Sequence, residues 1–173
     1  MTIEYAQIIS TSDQRPETTA PMVISMDQNE GISGIGHSIT HPADIIIKSS
    51  GTYVMIAAPQ VGKESGEDCS SIDFWFRKNG NDIPNSNVRA SLGANGQKDV
   101  VVNQTMMSFQ AGDVLNVMMA VEKTGNGLGI EAIKTPGRPL IPSIIFSMHK
   151  IKENVKGYWT STEKGTKKIW IEK

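Results

Sequence analysis

The sequence predicts an all-β fold, a β-sandwich or barrel of roughly nine or ten strands, and three observations carry that prediction. Short β-prone segments recur at intervals of about 8 to 12 residues with turn residues between them. The 173 residues include 16 glycines and 8 prolines, which punctuate the chain too often for long helices and suit tight turns. No stretch repeats apolar residues at the helical period. The length is that of one ordinary domain able to bury a core.

Residues 1–20 are polar and threonine-rich, and Gln14, Arg15, Pro16 and Glu17 break any period, so they read as an extended arm. Residues 22–26 and 32–40 are β-prone runs set apart by Asn29, Glu30 and Gly31, which reads as two edge-type strands. DIIIKSSGTYVMIAAPQVG (44–62) holds an isoleucine cluster, a Ser49-Ser50-Gly51 turn and an alternating stretch, predicting a strand, a tight turn and a strand. SIDFWFRKNGNDIPNSN (71–87) opens as a strand and closes as a polar loop. Ile72, Phe74 and Phe76 point one way and Asp73, Trp75 and Arg77 the other, because strand side chains alternate. Asn79, Gly80, Asn81 and Asp82 then supply a turn that tolerates positive φ.

Residues 88–92 form a short strand, 93–96 (GANG) a turn, and 98–109 a long strand. After the reversal at 110–113 (QAGD), 114–121 (VLNVMMAV) is a strand apolar on both sides. The three prolines in TPGRPLIP (135–142) bar a central strand there, and SIIFSMHKI (143–151) is the last regular strand of a domain spanning 21–152. Residues 153–173 are a basic aromatic tail. Tyr158, Trp159, Ile169 and Trp170 flank a turn at 163–166, as in a hairpin, and are candidate groups for docking on a neighbour. A hairpin folded onto its own domain is the equal alternative.

The strands at 72–78, 114–121 and 143–151 carry bulky side chains on both faces. If they share a sheet, that sheet has the core behind it and something else in front, and a symmetric homo-oligomer is the economical cover.

The succession TYVMIAAPQV, IDFWFRKNGNDIPNSN, MMSFQAGDVLNVMMAV and SIIFSMHKI resembles the jelly roll shared by the complement C-one-q globular head and tumour necrosis factor, in the form carried by phages, large DNA viruses and bacteria. Its most specific points are Gly51-x-Tyr53 opening a strand, Trp75 with Lys78-Asn79-Gly80 closing one, and Gly112-Asp113 ahead of a β-run. The resemblance implies a ten-stranded jelly-roll sandwich that forms a compact homotrimer around a threefold axis. It places Phe74, Trp75, Phe76, Val117, Met118, Met119, Phe146, Met148 and His149 at the trimer interface, with Trp75 as packing rather than a ligand platform. Functional variation then falls in the loop at 81–87. The chain lacks a Gly-X-Y repeat and the phenylalanine-serine-glycine-phenylalanine signature near the last strand, so the receptor binding of the animal proteins is not implied.

Chemistry-bearing constellations are sparse. His37 and His41 are four apart but off any helix, which gives their spacing no metal-site geometry. His149 would meet its copies near a threefold axis, although a hydrogen-bonded histidine is the simpler reading. Glu64, Glu67 and Asp68 offer oxygen ligands for calcium, but a solvated acidic loop explains them as well. Cys69 has acidic and hydroxyl neighbours that do not activate a thiol. A cupin-like enzyme would need clustered histidines in the barrel, and the chain has three in scattered places.

No enzyme activity and no cofactor are therefore expected. A net charge of −1 creates no field to gather nucleic acid or an anionic membrane, and no apolar run approaches the roughly 20 residues of a membrane span. The start, MTIEYAQIISTSDQ, lacks the pattern of a secretory signal. The expected function is a structural or interaction module on a phage or virus particle: a decoration, spike or fibre-tip protein assembled in the host cytoplasm. Its partners would be its own copies, a capsid or tail protein, and a host receptor or glycan. The alternative is a binding module on a bacterial or spore surface, extracellular and lectin-like or adhesin-like.

Overall fold

The computed structural model describes residues 3–153, 157–162 and 165–170, with side chains described up to residue 152. Among them there is no helix, and the main body consists of two antiparallel sheets packed as a β-sandwich. The first sheet runs β3 (Gln28–Ser33), β1 (Tyr5–Ser10), β14 (Ile144–Glu153), β6 (Gly51–Gly62) and β11 (Asn103–Phe109), with β10 (Lys98–Val100) and β13 (Gly129–Ile130) also on β6. The second runs β4 (Ile35–Ser38), β5 (His41–Ile47), β12 (Val114–Val121) and β7 (Ser70–Lys78), with β8 (Asn81–Asp82) and β9 (Val88–Leu92) on the far edge of β7 and β2 (Met22–Val23) on β12. A separate pair, β15 (Gly157–Thr162) and β16 (Gly165–Trp170), forms an antiparallel ladder with Thr162 opposite Gly165.

The core lies between the sheets. Ile8, Tyr53, Met55, Ala57 and Phe146 of the first sheet meet Ile45, Phe74, Phe76, Val117 and Met119 of the second, all fully buried. Phe76 and Phe146 meet edge-to-face with ring centroids 6.4 Å apart, a geometry the ring quadrupoles favour. Alternation along each strand produces this layer directly. In β7, Ile72, Phe74 and Phe76 are the inward set, and in β12 Leu115, Val117, Met119 and Val121 are.

Three segments differ from the sequence expectation. Residues 5–10 are not an arm: β1 lies between β14 and β3, its Ala6 and Ile8 inside the core. Beyond it Gln14 ties the chain down. Its side chain bonds Ser25 N–H and C=O at 2.8 Å each, and its backbone bridges Ile130. Across Ser49-Ser50-Gly51 the chain does not close a hairpin but passes from the second sheet, at β5, to the first, at β6. The long strand at 98–109 is broken at Val101 and Val102. The register on β6 continues through the break, from Val100 opposite Gln60 to Asn103 opposite Ala57. Pro59 lies opposite the gap and has no N–H to donate, so only its carbonyl takes part, accepting from Val101 N–H at 3.2 Å.

Candidate interaction site

The inner positions of the expected interface are already used within one chain. Phe74, Phe76, Val117, Met119 and Phe146 have no exposure and Met148 almost none, because they fill the space between the two sheets. A side chain enclosed in its own subunit cannot meet another, so these six belong to the core. Trp75 and Met118 lie on the outer face of the second sheet. They are directly opposite each other on β7 and β12, and Val23 of β2 is opposite Met118 on its other side. Met118 is fully buried there without belonging to the central core cluster. Its cover comes from its own chain, and no second subunit is needed. Only His149 sits on the outside of the first sheet, exposed on β14 opposite Val54.

That first outer face is apolar, covered at Ile9 and Val54 and exposed around them. Its outward rows read Tyr5, His149, Val54, Met106 and Ile9, Ile145, Ala58, followed by Val102 where the register continues. Val102 is 60% exposed, Met106 64%, Tyr5 44% and Ile145 38%. Between the two rows lie Gln7, Ser147, Ile56 and Gln104, so the outward positions of β1, β6, β11 and β14 from residue 145 to 149 carry no formal charge. An edge or face that must stay in water is normally guarded by lysine or glutamate.

The second outer face is built differently. Asn79 and Gly80, with φ of 49° and 79°, make the two-residue turn that returns the chain against β7 and sets Asp82 opposite Arg77. Trp75 is two residues back on the same face, so one carboxylate serves both: Trp75 Nε1–H and Arg77 Nε–H each donate to Asp82 Oδ1 at 2.7 Å. The Arg77 guanidinium first, then the Trp75 indole N–H, hold the Asp82 carboxyl below its ordinary value. Next to it, Arg89 binds Asp73 through two nitrogens, at 2.8 and 2.9 Å. The loop after β8 is fixed from beneath. Buried Ser86 bonds Phe76 N–H and Ile83 C=O, while Asn103 bonds Phe74 C=O and Ser86 C=O. Asp73, Trp75, Asp82, Ile83, Asn87 and Ala120 together line an open cleft of about 340 Å³.

Most of the remaining polar groups are paired within the chain. Glu4 accepts from Ser49 Oγ at 2.6 Å and from Tyr53 OH at 2.7 Å, and Lys150 lies 3.3 Å away. Burial works against the Glu4 charge, but these hydrogen bonds and the Lys150 ammonium outweigh it and leave its carboxyl below the usual range. Glu131, nearly buried, pairs with Arg15 at 3.0 Å and with Lys98. Arg15 also holds Glu64 at 2.9 Å, which removes that carboxylate from a calcium loop. Asp68 pairs with Lys123 at 3.4 Å, and Cys69 is exposed. His37 meets Asn29 and the Pro42 carbonyl at 2.6 and 3.3 Å, and His41 meets Thr40. Among the described residues, no group of three His, Cys, Asp or Glu side chains is placed to hold a metal ion. The side chains of Tyr158, Trp159, Ile169 and Trp170, and the turn residues Glu163 and Lys164, lie outside those described. Sequence reasoning missed Asp82 as the partner of Trp75 and Asn87 as its neighbour in the cleft, although the Asn79-Gly80 pair was the signal that folds Asp82 back toward Trp75.

No protein-family model matches this chain, and no curated protein matches it.

Proposed function

We propose that this chain is a non-enzymatic structural and interaction module, a jelly roll that assembles as a homotrimer through the outer face of its first sheet. The observation that carries the assembly is that face's composition: Tyr5, Val102, Met106 and Ile145 exposed in rows with no formal charge between them. The jelly-roll reading is supported by the path of the chain. It passes repeatedly between two five-strand ladders, β3-β1-β14-β6-β11 and β4-β5-β12-β7-β9. The carboxylates of partly buried Glu4 and buried Glu131 are engaged by cations and, at Glu4, by hydroxyls, which supports scaffold roles for them over chemistry.

The module sits on the particle of a phage or virus as a decoration, spike or fibre-tip protein, partnered by a capsid or tail protein. The resemblance of residues 20–152 to viral jelly rolls supports that placement. Genes for capsid and tail proteins beside its own would be the expected context. A second reading, a lectin-like or adhesin-like module on a cell or spore surface, is favoured by the pre-formed cleft at Trp75.

Mass photometry tests the assembly. The protein should appear at three times its 18.8 kDa chain mass, and Met106→Lys or Val102→Lys should shift it to the monomer. A monodisperse wild-type monomer would overturn the reading.

A further inference from the structure

The geometry points to the Trp75 cleft as a binding site for a neutral saccharide. This inference rests on the binding side of the function proposed above and is independent of the trimer. Trp75 is half-buried, with its indole N–H spent on Asp82, so its position is fixed before any ligand arrives. The face of an indole carries negative charge density, which attracts the weakly positive C–H groups along one side of a sugar ring. Around it stand groups that recognise hydroxyls. Among the described residues, Asp82 Oδ2 and Asn87 Oδ1 accept no hydrogen bond.

Charge decides between ligand classes. The cleft holds two carboxylates, Asp73 and Asp82, and each is matched by one arginine, Arg89 and Arg77. The balance is zero, and among the described residues that line the cleft there is no cation without a carboxylate partner to hold a phosphate, a sulfate or a sialic acid. A nucleotide or an acidic peptide is thereby disfavoured, while an uncharged polyol with one apolar side fits. The volume, about 340 Å³, is at the low end of the roughly 300–1,000 Å³ typical of small-ligand sites, so it suits a sugar ring or the end of an oligosaccharide. The bed is rigid, because Ser86 and Asn103 pin the loop that carries Asn87.

The test is saturation-transfer NMR and titration of the full chain with lactose, maltose, cellobiose and chitobiose, with sialyllactose as the anionic control. At least one neutral disaccharide should bind with transfer to its ring C–H protons, and its affinity should not change between low and high salt. Asn87→Ala, at the exposed rim, and Trp75→Ala should each weaken binding by about tenfold or more. Asn87→Ala should leave the unfolding temperature and the oligomeric mass unchanged, which keeps the test valid if Trp75→Ala misfolds. Binding confined to sialyllactose, neutral binding that survives Asn87→Ala, or no binding by any of the four would overturn the site. So would protection of Trp75 from hydroxyl-radical oxidation without sugar, which would mean that the tail or a second copy fills the cleft. The oligomeric mass, read separately, reports on the trimer alone.

Discussion

The two outer faces of this sandwich invert what their sequences advertise. β7 and β12 carry large side chains on both sides, yet the outer side of the second sheet is covered within the chain where these two strands run, while Ile46 on neighbouring β5 stays 43% exposed. Met118 is covered between Trp75 and Val23, Trp75 is tied to Asp82, and Asp73 is matched by Arg89. The outer side of the first sheet is spelled by unremarkable alternation, Tyr5-Gln7-Ile9 or Gln104-Met106-Ser108, and is left open, apolar and uncharged. Bulk on both sides of one strand is therefore a poor guide to an uncovered apolar face. The absence of charge across several neighbouring strands is the better one, and only the strand order reveals it.

The largest effect separates both faces from what lies between them. Phe76→Ala removes a fully buried ring packed against Phe146, and should cost about 3–5 kcal/mol of stability in chemical denaturation. The loss should be the same in an assembled and a dissociated background, since the side chain is enclosed in one subunit. A phenylalanine whose loss dissociated the protein without unfolding it would return Phe76 to an interface.

Met118→Ala comes next. It empties a buried site under the second face, and its cost should be about 2 kcal/mol, the lower end for a buried methionine, because the half-buried Trp75 can settle into the space. Oligomeric mass should not change. On the first face, Met106→Lys should do the reverse: unfolding of the isolated subunit moves by no more than about 0.5 kcal/mol, while the assembled mass is lost. Measuring both mass and unfolding for this pair gives a crossed result. A dissociated Met118→Ala protein, or an intact Met106→Lys assembly, would exchange the roles of the two faces.

How far the sequence reached is visible in the same places. Val88–Leu92 stops where the 93–96 turn begins, Val114–Val121 starts where the 110–113 reversal ends, and the inward sets of β7 and β12 follow from alternation alone. β1 was hidden because Ala6 and Ile8 are only two inward side chains in a polar stretch, and its place between β14 and β3 depends on partners more than a hundred residues away at one edge. The inward side chains of β7, β12 and β14 were read as interface for a related reason: alternation gives each strand two faces but not which of them meets the other sheet. At the cleft, the turn and the tryptophan were both legible. That Asp82 returns to Trp75, and that Asn103 from the other sheet fixes the loop, required the folded register.

The smallest effect distinguishes a finished polar face from a merely exposed one, and it depends on pH. Asp82 is held below its ordinary value by Arg77 and then by Trp75. Because the folded-state value is depressed, the stability contributed by its charge is fully present above the ordinary aspartate value, near about pH 3.9, and is lost as pH falls through the lower folded-state value. Asp82 is 55% exposed, so solvent screening limits the amount to a few tenths of a kcal/mol. The effect is better read locally than in global unfolding. With Trp159 and Trp170 replaced by phenylalanine, an acid titration of Trp75 fluorescence should show a transition below about pH 3.9 that Asp82→Asn abolishes. Glu4, far better buried beside Lys150, should instead appear in global stability: Glu4→Gln should flatten its acid side without moving the fluorescence transition. A Trp75 transition at or above the ordinary aspartate range would mean that Asp82 is not held as described, and that the second face is no more finished than the first.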